Sequence, residues 1–173
     1  LLTIILGLGS MILAFSYPFM KRITYWPQLF LGLTFNWGLV MAWTAVNYSI
    51  SLDIIILYAS AIFWTLGYDT IYGVQDMADD ELIGLKSTSI KFKKNIKLFV
   101  SLNYLFTSLI LIYLFFNKLG FNIFTVMLIS FILSLFYQVK KFNKNNPGDC
   151  LKSFRLNNYS GLILFMGICS FNF

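Results

Sequence analysis

The sequence predicts an all-α fold, a polytopic transmembrane bundle of six helices. Three observations predict it. Apolar residues make up 58% of the 173 positions and charged residues only 12%, against about a quarter charged in soluble domains. The mean hydropathy is +0.75. The apolar residues gather into long uncharged runs, each near the roughly 20 residues that a bilayer crossing needs. A soluble domain of 20.0 kDa cannot hide that much apolar surface. A disordered chain needs the opposite composition.

The runs set the elements in order. Residues 1–20 form the first. Residues 23–52 form the second, with Pro27 near its start, where a helix tolerates proline. Residues 54–68 are too few to span alone, so this helix continues through Asp69 and towards Asp76. Residues 98–117, 119–139 and 156–173 are the fourth, fifth and sixth. The runs are too long, and alternate too little, for barrel strands. The whole chain, 1–173, reads as a single membrane-embedded helical domain with no room for a soluble one. Leu1 opens inside an apolar run with no charged leader region, so no signal peptide is expected. The chain reads as cut from a longer one.

Loop charge sets the orientation. Loop one holds Lys21 and Arg22. Loop three, residues 69–97, holds Lys86, Lys91, Lys93, Lys94 and Lys97. Loop five holds Lys140, Lys141, Lys144, Lys152 and Arg155. Loops two and four hold only Lys118 of the 13 basic residues. The positive-inside rule places the odd loops in the cytoplasm. It also accounts for the net charge of +6 without invoking nucleic acid as a partner. Cys150 and Cys169 are too few for a disulfide framework and fall near opposite faces. With no His in the chain, any metal must be held by oxygen ligands, which points to a hard ion such as Mg2+.

Five of the seven acidic residues lie in the stretch DTIYGVQDMADDE: Asp69, Asp76, Asp79, Asp80 and Glu81. On a continuous helix, Asp76 and Asp80 each fall about 20° from Asp69, so the three form one stripe. Tyr72 sits beside that stripe, and Asp79 about 80° away. Glu81 reads as loop. Carboxylates this close are tolerable when solvated or when a divalent cation sits among them. Acids at a membrane helix end are functional candidates. Next comes LIGLKSTSIKF, where Lys86, Ser87 and Thr88 place an ammonium and two hydroxyls beside the acids. A diphosphate needs both metal ions and cationic donors. As composition alone goes, Lys86 reads equally well as one more cytoplasmic lysine.

The stretch DTIYGVQDMADDELIGLKSTSIKF resembles the second aspartate-rich motif of the UbiA-type intramembrane prenyltransferases, whose pattern is close to D-x-x-Y-A-x-Q-D-x-x-D-D-x-x-x-G-x-K-S-T. YPFMKRITYWPQLFLGLTFNWGLVMAW and FRLNNYSGLILFMGI are similar to segments of the 4-hydroxybenzoate polyprenyltransferase branch. Gly73 departs from the usual Ala. The resemblance implies a nine-helix fold, of which these would be helices four to nine. The first motif, of the N-D-x-x-D type, would lie in a missing N-terminal portion of the same protein. This chain alone would then be inactive.

The resemblance further implies transfer of a polyprenyl group from polyprenyl diphosphate to 4-hydroxybenzoate, within ubiquinone biosynthesis, with Mg2+ as cofactor. Asp76 and Asp80, then Asp69 and Asp79, are the implied metal and diphosphate ligands. Asp69, Tyr72, Asp76 and Asp80 form the implied catalytic set. Tyr72 would offer a π face or hydroxyl to a developing cation. Lys86 would contact diphosphate. Arg22 would receive diphosphate or the acceptor carboxylate, or serve only to set topology. A bacterial inner (plasma) membrane is expected, with the mitochondrial inner membrane as the alternative. Other readings are another aromatic prenyltransferase of the same type, an ion-coupled transporter, and an inactive remnant of a split gene.

Overall fold

The computed structural model describes residues 1–170, and the helices follow from local sequence signals. α1 (Leu2–Ser16) passes through a single 3-10 turn, Tyr17–Phe19, into the short α2 (Met20–Ile23). α3 (Pro27–Asn47) begins with Pro27 in its first turn, where the missing N–H costs nothing. α4 (Leu52–Tyr72) is opened by Ser51, whose hydroxyl accepts from the Ile54 N–H. Two short helices follow, α5 (Met77–Leu82) and α6 (Thr88–Lys91). α7 (Ile96–Leu114), α8 (Ile123–Lys141) and α9 (Pro147–Cys169) complete the described chain. Asn122 caps α8 by accepting from the Thr125 N–H at 2.8 Å. Asn146 caps α9 by accepting from Gly148 at 3.1 Å.

Among the described residues no strand occurs, as expected. Five helical stretches are long and apolar enough to cross a bilayer: Leu2–Ile23, α3, α4, α7 and α8. α9 has the length but differs in composition, because its first turns carry Asp149, Lys152 and Arg155. It starts at Pro147 and not at 156. A search for uncharged runs cannot see a helix that begins outside the bilayer, and here Pro147 and the Asn146 cap mark the true start. The second run is also shorter than its apolar extent: α3 stops at Asn47, with Tyr48 left-handed at φ 56°.

α4 is the central element. It packs on α3, α7 and α9, and α8 pairs with α9. The interior between them holds Thr44, Ser60, Thr65, Thr70, Thr107 and Ser160, all nearly inaccessible. Small hydroxyl residues let helices approach in a lipid solvent, where apolar packing alone gives no preference. Ser60 Oγ, for example, donates across to the Thr107 carbonyl at 3.2 Å. Gly67 makes room for the Tyr104 ring, which lies where a Cβ would stand. A buried apolar cluster of Ile71, Leu111, Phe124, Leu128, Phe131 and Leu135 lies alongside, while other large apolar residues, Ile12, Phe15, Phe35, Leu133 and Phe136 among them, are exposed and α1 buries none of its residues.

The loops segregate as their charges require. Loop one meets loop three through Lys21, and loop three meets loop five through Lys93 and Lys144. Asp53 of loop two and Lys118 of loop four line one cavity at the opposite end. This is a multi-pass membrane protein with its basic loops gathered at one end.

Candidate functional site

The acidic segment does not form one helix. α4 ends at Tyr72, Gly73 closes it, and the chain turns through Val74–Gln75 before Asp76 caps α5. The single stripe of Asp69, Asp76 and Asp80 is therefore corrected. Asp69 lies on the last turn of α4, Asp76 at the break, and Asp80 within α5. The cause is local. Gly73 disfavours helix continuation, and Asp76 accepts at its backbone carbonyl from the Asp80 N–H at 2.8 Å, which starts a new turn. Glu81 lies in α5 as well, not in loop, and binds Lys93 at 2.6 Å.

The break folds the segment back over loop one. Lys21 Nζ donates to Asp80 Oδ2 at 3.1 Å, and Asp80 is buried. The Lys86 N–H donates to the Lys21 carbonyl at 2.8 Å. Lys86 Nζ donates to the Ile23 carbonyl at 3.2 Å and stands 5.6 Å over the Tyr25 ring. The Asp69 carboxylate is within electrostatic reach of Lys21 and of Asp76. Tyr17 joins the same group, facing Asp69 and Lys21. So Lys21 pairs with Asp80, meets Lys86 through the backbone and lies within electrostatic reach of Asp69, which in turn is within reach of Asp76. Asp79 points away, exposed and without an ion pair among the described residues. Arg22 is also exposed, with no hydrogen bond or ion pair to the described residues.

The two hydroxyls after Lys86 have other partners. Ser87 caps α6 by accepting from the Ile90 N–H at 3.2 Å. Thr88 Oγ1 pairs with Thr70 Oγ1 at 2.7 Å, and the Thr88 N–H donates to Gln28 Oε1 at 2.9 Å. Ser89 Oγ donates to the Thr70 carbonyl at 2.8 Å. These groups are buried and fasten loop three to α3 and α4. Ser87 and Thr88, which the sequence sets beside the acids, thus spend their hydroxyls inside the protein. Gly73 fits into the same joint, since a Cβ there would lie 2.6 Å from Ser89 Oγ and 3.2 Å from Gln28 Nε2.

Below the acids runs an aromatic wall. Trp64, Tyr68 and Tyr72 recur every four residues and share one face of α4. Tyr72 and Tyr68 both meet the Phe154 ring, at 4.8 and 5.9 Å between centroids, and Tyr68 meets Trp64 at 5.9 Å. A cavity of about 350 Å³ opens beside Trp64, Tyr68 and Phe154, lined also by Asn36, Thr65 and Asn157. Asn157 Oδ1 holds the Trp64 indole N–H at 2.9 Å. Asn36 Nδ2 is bound to Thr65 Oγ1 at 2.8 Å.

Among the described residues no three acidic or thiol groups converge as a metal cage. The donor set still fits Mg2+ in one mode. That ion is commonly held by one or two carboxylates plus substrate phosphates and water, not by a closed protein cage. Asp69 and Asp76 provide such a pair of oxygen donors.

The UbiA prenyltransferase family model matches residues 1–162. The chain belongs to the UbiA prenyltransferase family. Its relatives include the mitochondrial 4-hydroxybenzoate polyprenyltransferase of Bos taurus, 44% identical over 172 residues, covering 96% of this chain and 45% of that protein. The 4-hydroxybenzoate octaprenyltransferase of Serratia proteamaculans is 39% identical, covering 96% and 58%. The chain thus spans about half the length of the curated relatives it matches. The apo structure of a UbiA homolog from Aeropyrum pernix K1 superimposes with a TM-score of 0.78 at 25% identity, over 95% of this chain and 62% of that one. The fold expected from the UbiA resemblance is therefore present.

Several site residues were not singled out by sequence reading. Lys21 and Arg22 are adjacent basic residues, and nothing local separates the one that turns inward. Tyr17 had no signal either. Gln28, Asn36 and Asn157 did have one, since each is a polar amide inside a membrane segment.

Proposed function

We propose that this chain contributes the second acidic motif of an enzyme that transfers a polyprenyl group from polyprenyl diphosphate to 4-hydroxybenzoate. The observation that supports it best is Asp69 on the last turn of α4, within electrostatic reach of Lys21 and Asp76 and on the same helix as the rings of Trp64, Tyr68 and Tyr72. Such a site offers a charged end for a diphosphate and an apolar groove for its isoprenoid tail. Relatives bearing the corresponding names match 96% of the chain. The acids lie at one end of α4, which is unlike the midplane site of an ion-coupled carrier.

In this reading Asp69 and Asp76 are the carboxylates that hold Mg2+ with the diphosphate. Bound there, the ion would neutralise the charge that builds on the leaving group. Lys21 holds Asp80 in place and adds positive charge beside the diphosphate. Lys86 fixes the loop through Ile23 and contributes a second ammonium. The C–O bond to diphosphate breaks, leaving an allylic cation. In this reading the Tyr72 ring offers its π face to that cation. The ring carbon ortho to the phenol hydroxyl attacks, and loss of its proton restores aromaticity. Arg22, exposed on the same side, is the group for the acceptor carboxylate. Asp79, which points to solvent, is peripheral. The membrane is the bacterial inner membrane or its mitochondrial counterpart, and the product feeds ubiquinone synthesis.

The test is a prenyl-transfer assay in proteoliposomes with radiolabelled 4-hydroxybenzoate. The chain is assayed alone and co-expressed with the first three helices of a relative. Product is expected only with the added helices, and only with Asp76 intact. Equal product from an Asp69→Ala, Asp76→Ala double variant would defeat the assignment of the acidic site.

A further inference from the structure

The junction of loops three and five holds a second charged cavity, apart from the acidic one. It measures about 390 Å³ and is lined by Lys94, Lys97, Lys144, Asn143, Asn145 and Leu98. No carboxylate lines it. The acids nearest in sequence are engaged elsewhere: Glu81 binds Lys93 at 2.6 Å, and Asp149 binds Asn146 at 2.9 Å with Lys152 at 4.0 Å. The three lysines come from two loops and are all exposed. Lys97 Nζ stands 5.5 Å over the ring of Phe142, itself fully buried. Lys144 Nζ reaches across to the Lys93 carbonyl at 3.5 Å.

Three like charges around one cavity repel one another. The arrangement is stabilised when an anion enters. Its depth says which anion. The bilayer-crossing helix α7 begins at Ile96, and Leu98 on the rim is 59% exposed. The cavity therefore lies at the level of lipid headgroups, with apolar surface directly beneath. Basic pockets between membrane helices on the cytoplasmic side are suited to anionic headgroups.

We propose that this cavity binds the phosphate headgroup of an anionic phospholipid from the cytoplasmic leaflet. The amides of Asn143 and Asn145 offer hydrogen bonds to its ester or glycerol oxygens, and Leu98 meets the start of an acyl chain. The site would anchor α7 against the α8–α9 connection.

The test uses the full chain in phosphatidylcholine micelles, titrated with short-chain phosphatidylglycerol and read by native mass spectrometry. Each lysine near an anionic headgroup is worth about fivefold in affinity. A Lys94→Ala, Lys97→Ala, Lys144→Ala triple variant is expected to bind on the order of 100-fold more weakly. A charge-matched control, Lys91→Ala, Lys140→Ala, Lys152→Ala, should change affinity less than about threefold. Inorganic phosphate at equal concentration should not displace the lipid. Equal losses in the two triple variants would show diffuse surface charge and overturn the proposal. Displacement by inorganic phosphate would overturn the lipid assignment. Single-lysine variants, each read against its own thermal unfolding curve, separate lost binding from lost folding.

Discussion

Two charged regions share the basic end of this bundle and solve opposite problems. At the junction of loops one and three, Lys21 sits between carboxylates, and Asp80 is buried against it. At the junction of loops three and five, Lys94, Lys97 and Lys144 surround a cavity with no acid. The first is paired in part from within, through Lys21 and Asp80. The second is left with net charge for something outside the chain. One sequence feature, a surplus of lysine in odd loops, thus yields an internal scaffold in one place and an open anion seat in the other. Topology needs only the charges. Their pairing decides what each cluster can do.

The largest effect should come from the acidic side of the first region. Asp76→Ala is expected to lower prenyl transfer on the order of 100-fold or more, since it removes a proposed donor worth several kcal/mol at the leaving group. Asp76 is half-buried at a helix break, so helicity and thermal stability should stay near wild type. The assay in proteoliposomes, paired with circular dichroism, checks both. Loss of helicity in step with activity would make Asp76 a structural cap instead.

Next in size is the ion pair. Lys21→Ala leaves the Asp80 carboxylate buried without its cation, which costs about 2 kcal/mol for a hydrogen bond between charged groups. Water reaches the Lys21 side chain, which is 39% exposed, so the fuller cost of a deeply buried pair does not apply. The Lys21→Ala, Asp80→Ala double variant should recover part of the loss in a double-mutant cycle. The matched change in the other region, Lys97→Ala, should move stability by less than about 0.5 kcal/mol. Unfolding in mixed micelles distinguishes the two. Similar losses would erase the contrast.

Most of the fold was legible because a bilayer imposes simple rules. Uncharged runs located the spans, and loop charge sorted them into two ends, which the contacts of Lys21, Lys93 and Lys144 reproduce. The acidic site was legible in composition but not in geometry. A helical wheel drawn through Asp69, Asp76 and Asp80 assumes a continuous helix, and the break after Tyr72, permitted locally by Gly73, is fixed by a tertiary joint. That joint uses Gln28, Thr70, Thr88 and Ser89, which are far apart in sequence. For the same reason nothing in the sequence shows that Ser87 and Thr88 act as fasteners. Lys21 was hidden for a different reason: beside Arg22 it looks like one of two equal topology charges.

Gly73→Ala probes that joint and should have a smaller effect. The new methyl would lie 2.6 Å from Ser89 Oγ, so the hydroxyl must leave the Thr70 carbonyl. Overpacking of this kind costs about 1 kcal/mol. Gly73 lies past the last residue of α4, so the Ala-over-Gly helix propensity of a helix interior offsets little of this. Adding Ser89→Ala removes the closer contact and leaves the one at 3.2 Å to Gln28 Nε2, so Gly73→Ala should cost less in the Ser89→Ala background than in the wild type. If Gly73→Ala stabilises the chain outright, the joint is looser than its hydrogen bonds indicate.

The smallest effect concerns a reporter behind the lysine cavity. Cys150 is fully buried in the first turns of α9, before the apolar part that follows Arg155, and its Sγ lies 3.3 Å from the Asn143 carbonyl that borders the cavity. Burial, with Asp149 beside it, pushes the thiol up to about 11. Only the thiolate is alkylated, so iodoacetamide at pH 8 should leave Cys150 almost unmodified while the folded state persists. The rate should climb about tenfold per pH unit towards pH 11. The same shift has a sign for stability. The folded state holds the proton more tightly than the unfolded state, so Cys150 contributes stability that is intact below about pH 9. That contribution is lost as pH rises towards 11, and a Cys150→Ala variant should lack this part of the alkaline decline. If anionic lipid seats itself against Asn143 and Lys144, it should slow the alkylation further. A Cys150 that labels at pH 8 as fast as a free thiol, with or without lipid, would mean the loop five wall opens on its own. The contrast between a closed acidic joint and an open basic cavity would then be one of mobility as well as charge.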